Sequence, residues 1–419
     1  MKNIQIFKAL IMAFMTTLAF VSLVTHAKIT AISNATVYTL ASEGILEQAT
    51  VILNDGKIVK VYTTEDSANS IEADEIIDAK GRILTPGFIG TMNSLGLIEV
   101  GAVSRTQDGR DEKADITFDA SLAFNPKSTL IPYARKGGIT SNISAPHGGE
   151  GLFAGQTFAA DLSGEFGSVI EKQNAVIIYL GSESKGSRAL TLQQLDYKFE
   201  DAKKALVKKN DKKTKAPKRD ELVINALLAG EKPLLAYADR ATDLLALLTL
   251  KKKYEIDLVL VGASDAVLIA NEIAEAHVPV ILSAIDNLPS SFDSLHASLA
   301  NIAILAKAGV KVILAPKGDS HNINQLRFDA GIAVANGLSK MDALAALTAN
   351  VADVFKLNVG RIVIGKNADL VLWSGDPLEI STKVDLMWIN GKQISTKSRQ
   401  DALRDRYTVE SNMPRAYSK

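Results

Sequence analysis

The sequence predicts an α/β fold: a (β/α)8 barrel of the TIM type with a small β-sandwich domain formed by both chain ends. Three observations predict it. The chain has 419 residues with 47% hydrophobic content, enough for one barrel of about 250 residues and a satellite domain. Short apolar runs alternate with longer helical patterns through the middle of the chain, as expected for βα units on a parallel sheet covered by helices. Strand-and-turn patterns occupy both ends.

The first element stands outside the fold. Lys2 and Lys8 precede an uncharged apolar run from Ala9 to Val24, which closes on Thr25-His26-Ala27, a small-x-small cleavage pattern. Residues 1–27 therefore read as a secretory signal peptide, and the run is short of the roughly 20 residues that a spanning helix needs. The chain has no cysteine, so neither a disulfide nor a lipidated cysteine at the cleavage site is available. A periplasmic protein with no membrane span after cleavage is expected. Loss of Lys2 and Lys8 from the 47 basic residues leaves 45 against 47 acidic ones. That near-neutral balance offers no field for nucleic acid.

Residues 28–83 begin the folded chain with the strand patterns Ala35–Thr39, Ala49–Leu53 and Ile58–Tyr62, the last two joined by Asn54-Asp55-Gly56-Lys57. Asp-Gly between β-branched runs is a hairpin signal. Over 358–395 the same kind of pattern returns in Ala368–Trp373 and Val384–Ile389, punctuated by Gly375-Asp376-Pro377 and Asn390-Gly391. The two ends are assigned to one composite β-domain. Residues 84–357 carry the buried-strand runs Ala175–Leu180, Pro233–Tyr237, Leu258–Val261, Val278–Leu282 and Val312–Leu314 and are assigned to the barrel. Residues 396–419 form a C-terminal tail. The lysine-crowded stretch 203–219 lacks interleaved aromatics and reads as a solvated loop or frayed helix.

Three blocks carry a family resemblance. Ile77-Asp78-Ala79-Lys80-Gly81-Arg82-Ile83-Leu84-Thr85-Pro86-Gly87-Phe88-Ile89 resembles the lead-in to the first barrel strand of the amidohydrolase superfamily, near its imidazolonepropionase-like members. Gly337-Leu338, Ala343-Leu344 and Leu347-Thr348-Ala349-Asn350 resemble its last barrel helix, and Val359–Trp373 resembles its closing segment. The resemblance implies a metal-dependent hydrolase fold, with a divalent metal, usually zinc, held by histidines at the barrel mouth.

The residues at the implied ligand positions are of another kind. The paired histidines of the first strand are replaced by Met92 and Ser94, on either side of Asn93, and those of strands five and six by Tyr237 and Val261. A thioether suits copper(I) and a neutral hydroxyl is a poor zinc donor. The implied aspartate of strand eight falls on Gly318 by strict spacing and on Asp319 after a slip of one residue. No metal or other cofactor is therefore expected, although zinc is usual for the family.

Of the five histidines, His26 lies in the signal segment. His277 precedes a strand and His296 lies in a helical pattern, so both read as structural. His147, followed by Gly148 and Gly149, and His321, in Gly318-Asp319-Ser320-His321-Asn322, belong to loops after strands. Asp319, His321 and His147 are the candidate catalytic residues, and Met92, Asn93, Ser94, Asn142, Tyr237, Val261 and Gly318 the candidate pocket residues. Gly137 and Gly138 read as a turn, since no phosphate-binding Lys-Ser or Lys-Thr follows them.

Besides a structural envelope role, for which the sequence offers no positive sign, two functions remain open at this point. One is a non-catalytic barrel that binds a small neutral or amphipathic molecule, or that partners an active amidohydrolase relative in a homo- or hetero-oligomer. The other is a divergent hydrolase of C–N bonds in non-peptide amides, cyclic amides or dipeptide-like compounds. Fold alone does not transmit activity. The signal segment makes the first prediction: intact-mass measurement of protein from the periplasmic fraction should give a chain beginning at Lys28, and recovery only from membranes with Met1 retained would contradict it.

Overall fold

The computed structural model describes residues 28–63, 72–149, 151–181, 186–208, 216–286, 288–316 and 320–408. The signal segment 1–27, the candidate residues Gly318 and Asp319, and the end of the tail lie outside them. No helix among the described residues is long and apolar enough to cross a membrane.

Both chain ends contribute to one eight-stranded sheet. From the N-terminal side come β1 (Thr30–Tyr38), β2 (Ile45–Asn54), β3 (Lys57–Tyr62), β4 (Glu75–Asp78) and β5 (Ile83–Pro86); from the C-terminal side come β14 (Leu370–Trp373), β15 (Val384–Ile389) and β16 (Lys392–Gln393). The order is β16-β15-β14-β5-β1-β2-β3, with β4 also paired to β1. β14 lies antiparallel to β5, with Leu370 opposite Pro86 and Leu372 opposite Leu84. Ile32, Val37, Leu53, Ile58, Leu84, Leu370 and Trp388 form the buried core of this sheet. Because β5 runs to Pro86, the sheet claims three residues more than the expected boundary at 83.

The second sheet is a nearly closed barrel. Its strands are β6 (Phe88–Asn93), β7 (Ile139–Ser144), β8 (Phe153–Asp161), β9 (Val169–Tyr179), β10 (Leu234–Ala238), β11 (Leu258–Gly262), β12 (Val280–Leu282) and β13 (Val312–Leu314), neighbours in the order of the sequence. Crossovers are made by α1 (Leu130–Arg135), α2 (Arg188–Lys208), α3 (Arg219–Leu228), α4 (Ala241–Tyr254), α5 (Ala270–Glu275) and α6 (Asn301–Lys307), and α7 (Leu326–Ala335), α8 (Lys340–Leu347) and α9 (Ala349–Val354) follow β13. The lysine-rich stretch is thus helical up to Lys208 and again from Arg219.

One strand breaks the expected parallel pattern. β8 pairs antiparallel with both β7 and β9, whereas β9 to β13 are parallel throughout. A parallel connection needs a crossover of about a dozen residues or more. The segment 145–152 before β8 is shorter, and Gly164 at φ +82 lies in the turn after it, so the chain doubles back as a hairpin.

The barrel interior is apolar. Ile89, Met92, Ile143, Ile177, Leu235, Val259, Val261, Ile281 and Ile313 pack together there with Phe355, which follows α9. Outside it, the barrel and the sheet lock at Trp373, whose Nε1 donates to Thr85 Oγ1 at 2.9 Å and whose ring lies 5.2 Å from that of Phe88. Gly138 is required below this ring: its φ is +81, and a Cβ there would come within 2.3 Å of the indole. Arg327 on α7 donates to the carbonyls of Pro377, Glu379 and Thr382, which ties the last helices to the segment between β14 and β15. The tail adds α10 (Arg399–Thr408), held at Asp401 by Lys136 Nζ at 2.6 Å.

A buried carboxylate sits at the same junction. Asp369 accepts from Asn390 N at 2.8 Å and from Ser141 Oγ at 3.2 Å. Complete burial pushes its carboxyl up to about 6, and nearby Asp161 adds to the shift. A carboxyl raised above its unfolded value of about 3.9 keeps its proton in the folded state while the unfolded chain releases it. This contribution is complete below pH 4 and declines as pH rises to about 6. Asp369→Asn should therefore match the wild type near pH 4 and exceed it by about 1–3 kcal/mol at pH 8. Denaturant melts at the two pH values check this; a variant weaker at pH 8 would mean that the ionised carboxylate is stabilising.

Candidate functional site

The ends of four consecutive strands open onto a cavity of about 730 Å3. Tyr179 ends β9, Tyr237 and Ala238 end β10, Val261 and Gly262 end β11, and Leu282 ends β12; all six line it. This is the C-terminal face, where the loops of a βα barrel converge. The volume is in the range of small-molecule sites.

Local sequence explains the shape of the floor. Tyr179 and Tyr237 stand on paired strands in direct register, and their rings meet at 4.8 Å with a tilt of 31°. Both pack on the apolar interior of the barrel. The hydroxyl of Tyr179 lies 3.5 Å from His147 Nδ1, and His147 itself lines the cavity from the segment between β7 and β8.

Asp239, two residues beyond Tyr237, forms the acidic part of the wall. Its Oδ1 accepts from Ser264 N at 3.1 Å and from Ser264 Oγ at 2.9 Å. Burial raises its carboxyl above the usual range, against the pull of these two bonds, and Asp293 and Asp265 raise it further. Gly262 makes the approach possible, since a Cβ at this residue, which holds φ +83, would stand 3.0 Å from Asp239 Oδ1. Gly181 after β9 has the same role: its Cβ position lies 3.3 Å from both Arg188 Nη2 and Asp293 Oδ2.

Behind the wall is an ion-pair network. Arg188 Nε contacts Asp243 Oδ2 at 2.9 Å and its Nη2 donates to Asp293, while Arg240 Nε contacts Asp293 Oδ1 at 2.7 Å. Asp286 lines the cavity, and the buried Asp329 of α7 is pushed up to about 6 by burial and by Asp286. Ser283 also lines the cavity, and its Oγ is shielded from solvent without a hydrogen-bond partner.

Of the sequence-derived set, the structure brings together His147, Tyr237 and Val261 and separates the other described members. Met92 turns into the barrel interior at φ +52 and is 8% exposed. Ser94 Oγ donates to Ala145 O at 3.2 Å. Asn93 and Asn142 bond each other in both directions, Nδ2 to Oδ1 at 2.7 and 3.1 Å, and Asn142 also donates to Ser144 Oγ at 2.9 Å. These four are buried and do not line the cavity, which corrects the expectation that they would; their polar atoms are satisfied within the β6–β7 corner. His321 is likewise absent from the lining. It is exposed on the 3-10 turn Ser320–Gln325, which packs beside Gly137, so it does not join His147.

His296 also differs from its expected place. It lies in the loop before α6, with Nδ1 2.7 Å from Asp265 Oδ1. The helical pattern fails there because Ser294 Oγ accepts from Ser290 N and Ser291 N at 3.0 and 3.1 Å, a local alternative to helix bonding. Asp239, Asp286 and the Arg188 network were not singled out from the sequence. The legible sign was an aspartate two residues after a strand-end tyrosine, together with a glycine at the end of the next strand.

Comparison with known proteins agrees with the barrel and its satellite sheet. The amidohydrolase family pattern matches residues 239–395. An amidohydrolase from Thermotoga maritima MSB8 superposes with a TM-score of 0.78 at 25% identity, over 87% of this chain and 99% of that one. The pattern and this superposition support an amidohydrolase superfamily assignment. Amidohydrolase tasK of Hapsidospora irregularis is 22% identical over 81% of this chain, which spans only 39% of that relative's length. A β-aspartyl dipeptidase from Fervidobacterium islandicum AW-1 shares the fold, with a TM-score of 0.57 at 17% identity over 88% of this chain and 98% of that one.

The wall carboxylate of this amidohydrolase-like barrel gives a stability test. Asp239→Asn keeps the acceptor oxygen for Ser264 and removes a desolvated charge beside Asp293 and Asp265. It should raise stability at pH 7 by about 0.5–2 kcal/mol, read from denaturant melts; a loss of similar size would show that the carboxylate is a net support of the fold.

Proposed function

We propose that this chain is a binding barrel: a periplasmic amidohydrolase-superfamily protein that works without the metal-dependent step and uses its mouth to hold a small amphipathic molecule. The observation that carries this reading is the set of contacts at the four implied ligand positions. Met92 and Val261 are packed in the apolar interior, Ser94 is bonded to the main chain, and Tyr237 is stacked on Tyr179.

These donors do not fit a zinc ion, which takes three or four nitrogen, sulfur or carboxylate ligands in tetrahedral array. Among the described residues no group of three or more His, Cys, Asp or Glu side chains could hold a metal ion. What the residues do supply is a flat aromatic floor, a carboxylate wall and apolar cover at the rim, the mixture typical of small-molecule sites.

The test is metal content together with stability. Purified mature protein should contain no stoichiometric zinc by elemental analysis, and a chelator should leave its Tm unchanged, because no metal-binding energy supports the fold. A metal at about one per chain, lost together with stability on chelation, would reverse the reading. So would turnover of any member of a panel of lactams, dipeptides and small amides.

A further inference from the structure

One wall of the cavity is built differently from the rest. The segment Leu288–Ala300, between β12 and α6, contributes Leu288, Ser290, Ser294, Ala297 and Ser298 to the lining. Of its thirteen residues only Asp293 and Ser294 are buried. Leu288, Phe292 and Leu295 are 75%, 86% and 57% exposed. Apolar burial, the ordinary attachment of a loop to its barrel, is therefore slight here.

The segment is attached instead by a polar clasp at Asp293. Its Oδ1 stands 2.7 Å from Arg240 Nε, just ahead of α4, and its Oδ2 accepts from Arg188 Nη2 at the start of α2. Arg188 is oriented independently of the segment, because its Nε also contacts Asp243 of α4 at 2.9 Å. A second contact, on the exposed side, joins His296 Nδ1 to Asp265 Oδ1 at 2.7 Å. Within the segment, Ser294 Oγ accepts from Ser290 N and Ser291 N, and Asp293 N donates to Ser291 Oγ at 3.1 Å. Residues 290–294 thus keep their own shape, while their hold on the barrel is concentrated at one buried carboxylate.

We propose that Leu288–Ala300 is a strap across the cavity mouth, latched by Asp293 between Arg188 and Arg240, and that molecules enter and leave when this latch parts. A segment with few buried apolar contacts opens as a local unit, at a free energy well below that of global unfolding. The exposed side chains of Leu288, Phe292 and Leu295 already face water, so lifting the strap adds little apolar exposure. A buried ion pair suits a latch because separating its partners part-way leaves charge uncompensated, which disfavours intermediate positions. This holds whatever molecule the cavity takes.

The chain has no cysteine, so one introduced thiol reports access without background. Ala238→Cys places it in the cavity, at the end of β10, where Ala238 is 3% exposed. Ala175→Cys places it in the apolar barrel interior, which lifting the strap does not uncover. Maleimide labelling of each is timed with and without Asp293→Asn. The substitution should speed labelling at 238 by about tenfold or more and change that at 175 by less than about twofold. His296→Gln, which removes only the exposed contact, should change labelling at 238 by less than about threefold. Equal acceleration at both thiols would mean that Asp293 supports the whole fold, and would overturn the latch. Unchanged labelling at 238, or labelling there that is already as fast as that of a free thiol before Asp293 is altered, would overturn it too. Should Asp293→Asn not fold, Arg240→Gln takes its place with the same outcomes, since it removes one guanidinium from the clasp and leaves Arg188 with Asp243.

Discussion

The antiparallel pairing of β14 with β5 is the constraint on which the remainder depends. It places Leu370 opposite Pro86, and two residues after Pro86 the chain is already the first barrel strand. The barrel therefore starts from a fixed platform. Trp373, Thr85, Phe88 and Gly138 pack at this point, and Asp369 is sealed beneath it. With that corner fixed, β6 has one available direction, and each later strand is added beside its predecessor until β13 approaches β6.

The mouth follows from how the barrel is filled. An interior of Ile, Val, Leu and Met closes the channel below the aromatic pair, so the polar chemistry is displaced upward and to one side, onto the ends of β9 to β12. Glycine at the ends of strands allows this. At residues 181 and 262 the absent Cβ admits a carboxylate close to the main chain, which is how Asp239 and Asp293 come to rest beside it. On the opposite side, the Asn93–Asn142 pair satisfies its own donors and acceptors and leaves nothing to offer a ligand.

Strand patterns made most of the fold readable in advance. The runs at 49–53, 58–62, 258–261 and 312–314 lie within observed strands, and that at 233–237 starts one residue before β10, because β-branched and leucine-rich segments bounded by turn residues have few alternatives. β8 was not read because Phe153–Asp161 carries Gly and Gln and reverses direction through a tertiary pairing that local propensity does not encode. The site was read less well. Tyr237 and Val261, singled out through the family resemblance, line the cavity, whereas Met92 adopts a left-handed φ that only the folded chain reveals. The acidic wall lay in helix-leading loops, where an aspartate has many ordinary uses.

The reversal at β8 gives the mouth two unequal sides. Since β8 runs against its neighbours, the segment from Ala145 to Leu152 is pinned by hydrogen-bonded strands at both ends. Its glycines touch main chain directly: a Cβ at Gly148 would lie 1.8 Å from Ala154 O, and one at Gly149 would lie 2.1 Å from Ala114 O. The segment between β12 and α6 is longer and exposes Leu288, Phe292 and Leu295. The His147 side is consequently set in place before any ligand arrives, and its share of the entropy lost on binding is small. In the binding reading proposed above, the choice of molecule is made at this fixed side and at the aromatic floor beside it.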